Sequence, residues 1–293
     1  MKKILILLLS IYFGLSGCEE NKESHLKQQF PEYSIAISDD SERIAYTATG
    51  NGDVALVFIH GWSCDARYWR NQVPVFAQNY RVLTIDLAGH GHSSSTRSDF
   101  TISSFANDLK AVIEKEQIGK AILIGHSMGG GVIASAARIM PKRVIGIIGI
   151  DTFHSVAEQM PQSVIDNMVK PFEDNFKEAA QNFVSSMFPS DTDDQLIRWV
   201  KEDMSSAPKE IALSAFRNYL GQYITGESAG VFKGIDIPVV SINARLWPTD
   251  YEKNMKHISN YKLIYIEESG HFPMLEKPEE FNNLLQKAIR IVK

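Results

Sequence analysis

The chain is poor in the residues that mark several protein classes. It has two cysteines in 293 residues, and neither stands in a Cys/His spacing suited to a metal. No basic stripe or long run of like charge occurs and the net charge is −5, so no nucleic acid partner is expected. The most apolar stretch, Ile4 to Leu9 continued by Ile11, Tyr12 and Phe13, is too short for a membrane-spanning helix. What remains is ordinary for a globular protein, with 44% hydrophobic and 22% charged residues. The length fits one α/β domain with an insertion, or two small domains.

The short apolar run is informative by its flanks. Lys2 and Lys3 precede it, and Leu15-Ser16-Gly17-Cys18 follows. A positive start, a short apolar centre and small residues before a cut make a secretory signal. The cysteine after Leu-Ser-Gly resembles the bacterial lipobox, which implies that residues 1–17 are a signal peptide and that Cys18 is lipidated. Residues 18–33 would then be a polar tether, and the protein an exported lipoprotein held at a membrane, facing the periplasm or on the cell surface. Replacing Cys18 with Ala should move the protein from the membrane fraction to the soluble one; unchanged partition would refute the anchor. With Cys18 acylated, Cys64 has no disulfide partner, and stability must come from core burial.

Beyond the tether, strand and helix patterns alternate. Ser34 to Ser38 and Arg43 to Thr49 read as strands around a polar turn. Val54 to Ile59, Arg81 to Asp86, Ala121 to Ile124, Val144 to Ile150, Ile237 to Ile242 and Lys262 to Ile266 are apolar runs of strand length. Tyr68 to Phe76, Phe105 to Glu116 and Phe281 to Val292 have helical spacing. The alternation predicts a largely parallel sheet covered on both faces. Residues 155–230 break the rhythm with apolar residues at helical spacing only, such as Met160, Ile165, Met168 and Phe172. They are expected to form a helical cap over the ligand-binding edge of the sheet, between core segments 34–154 and 231–293. Its methionines and phenylalanines suit an adaptable apolar pocket.

Chemistry concentrates at Gly125-His126-Ser127-Met128-Gly129, where an apolar strand meets a small-residue helix. G-x-S-x-G between strand and helix puts a nucleophilic serine on a strained turn, with glycines two residues to either side. The following helix points its N-terminal N–H groups at the reaction centre. A serine hydroxyl needs a base, and His271 is the best placed of eight histidines, in a loop after the last strand and before the closing helix. His126 is read as structural, His90 and His92 as loop packing, and His154 and His257 as surface residues. Asp86 is read as an anchor for the loop 87–93. Cys64, Asp65, Arg245 and Trp247 are expected near the pocket, with Arg245 able to meet an acidic substrate group.

In order, His60-Gly61-Trp62, Asp86-Leu87-Ala88-Gly89-His90-Gly91-His92-Ser93, Gly125-His126-Ser127-Met128-Gly129-Gly130 and Gly270-His271-Phe272 resemble the α/β-hydrolase family. The resemblance spans essentially everything after residue 33. It implies an α/β-hydrolase fold with an eight-stranded, mostly parallel sheet, Ser127 as nucleophile, His271 as base, and an oxyanion hole from the backbone N–H groups of Trp62 and Met128. The triad acid is left open. The family's usual position after the seventh strand holds Trp247, and Asp250 lies three residues further on. Asp151, directly after the sixth strand, is the other candidate, since some family members take their acid there. The expected activity is carboxylic-ester hydrolysis of a small acyl substrate through an acyl-enzyme, with no cofactor and no metal. Aminopeptidase, carbon–carbon hydrolase and perhydrolase activities are alternatives on the same residues. An aminopeptidase would need acidic cap residues such as Glu158, Asp166, Glu173 and Asp174. A non-catalytic binding protein on this fold is the alternative from another class.

Overall fold

The computed structural model describes residues 32–293. The expected leader, Cys18 and nearly all of the tether lie outside the described residues. The strands are β1 (Ser34–Ile37), β2 (Arg43–Thr49), β3 (Ala55–Ile59), β4 (Arg81–Ile85), β5 (Ala121–His126), β6 (Val144–Ile150), β7 (Val239–Ala244) and β8 (Tyr261–Ile266). They form one sheet in the order β1-β2-β4-β3-β5-β6-β7-β8. The first two strands pair antiparallel, β2 is antiparallel to β4, and all pairs from β4 to β8 are parallel. Every residue of β3, β5 and β7 is buried, as a central strand covered on both faces requires.

The helices are α1 (Val73–Phe76), α2 (Ile102–Lys115), α3 (Met128–Ile139), α4 (Gln162–Asp174), α5 (Phe176–Ser185), α6 (Asp194–Ser205), α7 (Lys209–Thr225), α8 (Glu227–Gly230), α9 (Tyr251–Met255), α10 (Pro273–Glu276) and α11 (Pro278–Val292). Among the described residues none is long and apolar enough to cross a membrane. The helix expected over Tyr68 to Phe76 is instead a 3-10 turn, Ala66–Trp69, followed by the short α1. Asp65 caps the turn by accepting the Arg67 N–H, and Pro74, which has no N–H to donate, confines α1 to a fresh start at Val73.

Helices α4 to α8 all fall between β6 and β7, and no strand interrupts them. Helix α4 packs on α5 and α7, and α5 packs on α6. Their apolar faces do two things. Ile165, Phe172, Phe176 and Val200 close on one another or on the core below, while Met160, Met168, Phe183 and Phe216 face a cavity. The helical insertion therefore has a small core of its own and also supplies the roof of a pocket.

Candidate active site

Strand register places two candidate residues side by side. His126 pairs with Ile150 at the ends of β5 and β6, so Ser127 and Asp151 are the next residues on adjacent strands. The Ser127 N–H donates to Ile150 O (3.0 Å), and the Asp151 N–H donates to Ile242 O on β7 (2.9 Å). Ser127 has φ 53° and ψ −120°, a conformation that costs a non-glycine residue energy and persists only when its surroundings enforce it. The flanking glycines enforce it here. A Cβ on Gly125 would lie 2.4 Å from Gly129 O, and one on Gly129 would lie 2.6 Å from His60 O. Only bare backbone lets the β5–α3 turn close this tightly.

His271 follows β8, and its Nδ1 lies 2.6 Å from Asp151 Oδ2. A carboxylate can only accept, so Nδ1 carries the proton and Nε2 keeps its lone pair, the tautomer a general base needs. The other oxygen, Oδ1, accepts the Ala244 N–H at the end of β7 (2.8 Å). Asp151 thus starts on β6 but sets its charge against the edge of β7, where the more usual acid of the family would stand. Burial opposes that charge; the imidazoles of His154 and His271 overcome the penalty and hold the carboxyl well below the usual carboxylate range. Asp250, the other expected acid, caps α9 by accepting the Lys253 N–H (3.1 Å) and pairs with Lys253 Nζ (2.7 Å). The loop does not bend back: Trp247 packs edge-on against His271, with ring centroids 5.0 Å apart, and occupies that approach.

The backbone of His271 is held from three sides. Its N–H donates to Met187 O of the helical insertion (2.8 Å). Its carbonyl accepts from His126 Nε2 (2.7 Å), one residue from the serine. Glu276 reaches back from α10, its two oxygens accepting the N–H groups of Gly270 and Phe272, both at 2.9 Å. Sequence reasoning singled out neither Glu276 nor Met187. A glutamate at the end of a helical turn four residues beyond its N-cap, Phe272, is a signal that could have drawn attention to Glu276. His126, buried and pushed well below the ordinary histidine range by desolvation and by the neighbouring His271, is neutral as well as structural.

The loop after β3 carries Trp62. Its indole Nε1 donates to Ala212 O of α7 (2.7 Å), and its ring packs against Phe172, Phe183 and Phe216 at 5.1 to 6.1 Å. Met128 is the first residue of α3, where backbone N–H groups have no partner within the helix. His60 fixes the start of the loop: Nε2 accepts the Leu87 N–H (3.0 Å), and Nδ1, 2.8 Å from Gly61 O, donates. Both nitrogens are committed to the neutral form, and burial with the nearby His90 pushes the group down to about 3. A depressed folded-state value means stability present above the unfolded histidine value and lost as pH falls towards about 3. In urea titrations between pH 6.5 and 4.5, the stability advantage of wild type over His60→Gln should shrink by roughly 1.4 kcal/mol per pH unit. A gap independent of pH would refute a neutral, buried His60.

Ser127, Asp151, His271, Trp62 and Met128 all line one cavity of about 560 Å³, within the range of small-molecule sites. Its walls are mostly apolar, with Met160, Met168, Met187 and Met204 among them. Cys64 and Trp247 line it as expected, whereas Asp65 is paired with Arg67 (2.6 Å). Arg245 does not border the cleft; it pairs with Glu267 (2.7 Å) and stacks on Tyr265. Asp86 does anchor its loop, accepting the N–H groups of Ala66 and His92, both at 2.8 Å. His154 is not the surface residue expected. It lines the cavity, and its Nε2 lies 3.8 Å from Asp151 Oδ2. Among the described residues no cluster of three or more His, Cys, Asp or Glu side chains could hold a metal ion.

This sheet, with its serine turn and a histidine–aspartate pair behind it, is the framework of a hydrolase of the α/β fold. The sequence model of the Alpha/beta hydrolase family matches residues 56–284, and the chain belongs to that family. A pimeloyl-[acyl-carrier protein] methyl ester esterase from Photobacterium profundum is 27% identical over 248 residues, which is 80% of this chain and 94% of the relative. The solved esterase EaEST from Exiguobacterium antarcticum superposes with a TM-score of 0.79 at 19% identity, over 88% of this chain and all of that one. Two further curated relatives are spanned only in part: 29% of an acetyltransferase component of the acetoin cleaving system from Cupriavidus necator, and 52% of bifunctional epoxide hydrolase 2 from Sus scrofa.

Proposed function

We propose that the protein is a serine hydrolase that cleaves a carboxylic ester through an acyl-enzyme on Ser127. The observation that carries this reading is the 2.6 Å contact between His271 Nδ1 and Asp151 Oδ2 in the cavity that also holds the strained Ser127. Ser127 Oγ attacks the ester carbonyl and passes its proton to His271 Nε2. The Trp62 and Met128 N–H groups receive the oxyanion, each donor contributing about 10²- to 10³-fold in rate. His271 then returns the proton to the leaving alcohol, and a water activated by His271 releases the acid. Asp151 keeps the imidazole in its tautomer and stabilises the imidazolium that forms.

A serine at the elbow favours this chemistry over epoxide opening, for which related enzymes use an aspartate there. The apolar walls suit an uncharged acyl group. An aminopeptidase is disfavoured because its acidic cluster does not assemble: Asp174 pairs with Lys170, Glu173 with Arg217, and Asp166 accepts from Gln162, leaving Glu158 at the cavity. The test is labelling by a fluorophosphonate probe together with turnover of short-chain p-nitrophenyl esters. Wild type should label and turn over, and Ser127→Ala should do neither. A wild-type protein that does not label would sink the enzyme reading and favour a binding role.

A further inference from the structure

We propose that His154 is a second imidazole on the carboxylate of Asp151, a positioning residue that extends the activity of His271 to lower pH. The proposal rests on the serine-hydrolase reading above. Its first observation is an oddity of burial. His154 Nε2 is enclosed and has no hydrogen-bond partner, although its ring lines the cavity. Leaving a buried imidazole nitrogen unpaired costs on the order of 1–3 kcal/mol, so its surroundings need a reason. The nearest charge is Asp151 Oδ2 at 3.8 Å, the oxygen that also receives the proton of His271.

The direction of that nitrogen follows from a chain of donors and acceptors. Asn243, the fifth residue of β7, is fixed by Thr152: its Oδ1 accepts the Thr152 N–H (3.2 Å) and its Nδ2 donates to Thr152 O (2.9 Å). The same Nδ2 donates to Thr249 Oγ1 (2.9 Å). Thr249, supplied with a donor, has its own hydroxyl proton for His154 Nδ1, 3.2 Å away. An Nδ1 that accepts leaves the ring proton on Nε2, on the side of Asp151. Trp247 sets the spacing. Its indole meets His154 at 87° with centroids 6.0 Å apart and meets His271 at 65° and 5.0 Å, so one ring steadies both imidazoles. At 3.8 Å the Nε2–H dipole faces the carboxylate beyond hydrogen-bond length, and an approach of about 1 Å in the reacting complex would make it a hydrogen bond.

The consequence for the base is electrostatic. An N–H donor on the far side of Asp151 draws on the carboxylate charge, so less of it stabilises a proton on His271. This contact keeps His271 available as the base further into acid. The other titratable groups around this corner are Glu276, which accepts an N–H on either side of His271, the neutral His126 packed on its ring, Glu158 at the cavity, and the Asp250–Lys253 pair, which meets at 2.7 Å at the surface and is screened there.

The experiment compares kcat/KM against pH for wild type, His154→Gln and His154→Phe on one p-nitrophenyl ester, with fluorophosphonate labelling and thermal melting of each. Gln keeps a neutral donor, and Phe keeps only the ring volume. The acid limb should move to higher pH in the order wild type, Gln, Phe, with Phe displaced by about half a pH unit or more. The loss at pH 6 should fall on kcat more than on KM. Coincident limbs in variants that label and melt like wild type would overturn the proposal while leaving the hydrolase reading intact. Wild type that fails to label would remove the hydrolase reading itself. Should Phe lower the melting temperature, the comparison of wild type with Gln decides by the same criterion.

Discussion

Asp151→Asn should lower kcat by about 10³- to 10⁴-fold, while Asp250→Asn should change it by no more than roughly twofold. The asymmetry follows from where the two carboxyls lie. Asp151 is buried, its Oδ1 committed to the Ala244 N–H and its Oδ2 to His271 Nδ1. An asparagine of the same shape keeps the Ala244 bond with its oxygen and turns its NH₂ towards His271. That group can only donate, so Nδ1 must become an acceptor and the ring proton moves to Nε2. The imidazole is then unable to take the proton of Ser127, although no atom has moved far. Asp250 is spent on capping α9 and on Lys253, and an asparagine there keeps the cap and loses only a surface ion pair. Steady-state kinetics of the two purified variants decide the matter, and small, equal effects would overturn the assignment of Asp151.

The second large effect is expected at a residue that touches no substrate. Glu276→Gln should lower kcat by about 10²-fold with a smaller change in KM, because a displacement of about 1 Å at a catalytic group costs that much. It should also cost about 2 kcal/mol of stability, the usual worth of a hydrogen bond to a charged acceptor. Glu276 accepts one N–H on each side of His271. A glutamine has one acceptor oxygen, and its NH₂ would face a backbone N–H and push the loop away. Burial raises the Glu276 carboxyl and the bonds from Gly270, Phe272 and Thr192 oppose that rise, so the glutamate depends on this loop as the loop depends on it. Urea unfolding and ester turnover measure the two effects. A variant with kcat within roughly threefold of wild type would show that the loop holds His271 without the clamp.

The sheet and the serine turn were legible in the sequence because both are local signals. Apolar runs such as Val54 to Ile59, short, bounded by turn residues and rich in β-branched and aromatic side chains, suit strands buried on both faces, and the glycines flanking Ser127 report a backbone that leaves no room for Cβ. The carboxylate that meets His271 was not legible. Choosing between Asp151 and Asp250 requires the path of residues 245–250, and that path is set by the contact of Trp247 with His271, two residues far apart in sequence. His154 was misread for a similar reason. A lone histidine in an irregular segment has no periodicity, and its burial comes from Trp247 and Thr249, on a loop about a hundred residues away. The break at Ala66–Trp69 was missed because the apolar spacing from Tyr68 to Phe76 is compatible with a helix, and spacing alone carries no information about caps.

The bonds from His271 N–H to Met187 O and from Trp62 Nε1 to Ala212 O bear on how such proteins diversify. In chimaera building, the helical segment between β6 and β7 looks like an interchangeable cassette, since both its ends join one side of a rigid sheet. Here it is not freely exchangeable. Two of its main-chain carbonyls are acceptors for the loops that carry His271 and Trp62, so a transplanted segment must present carbonyls at the same two points. A graft chosen for its side chains alone would bring a new specificity to a catalytic centre that had lost part of its scaffold.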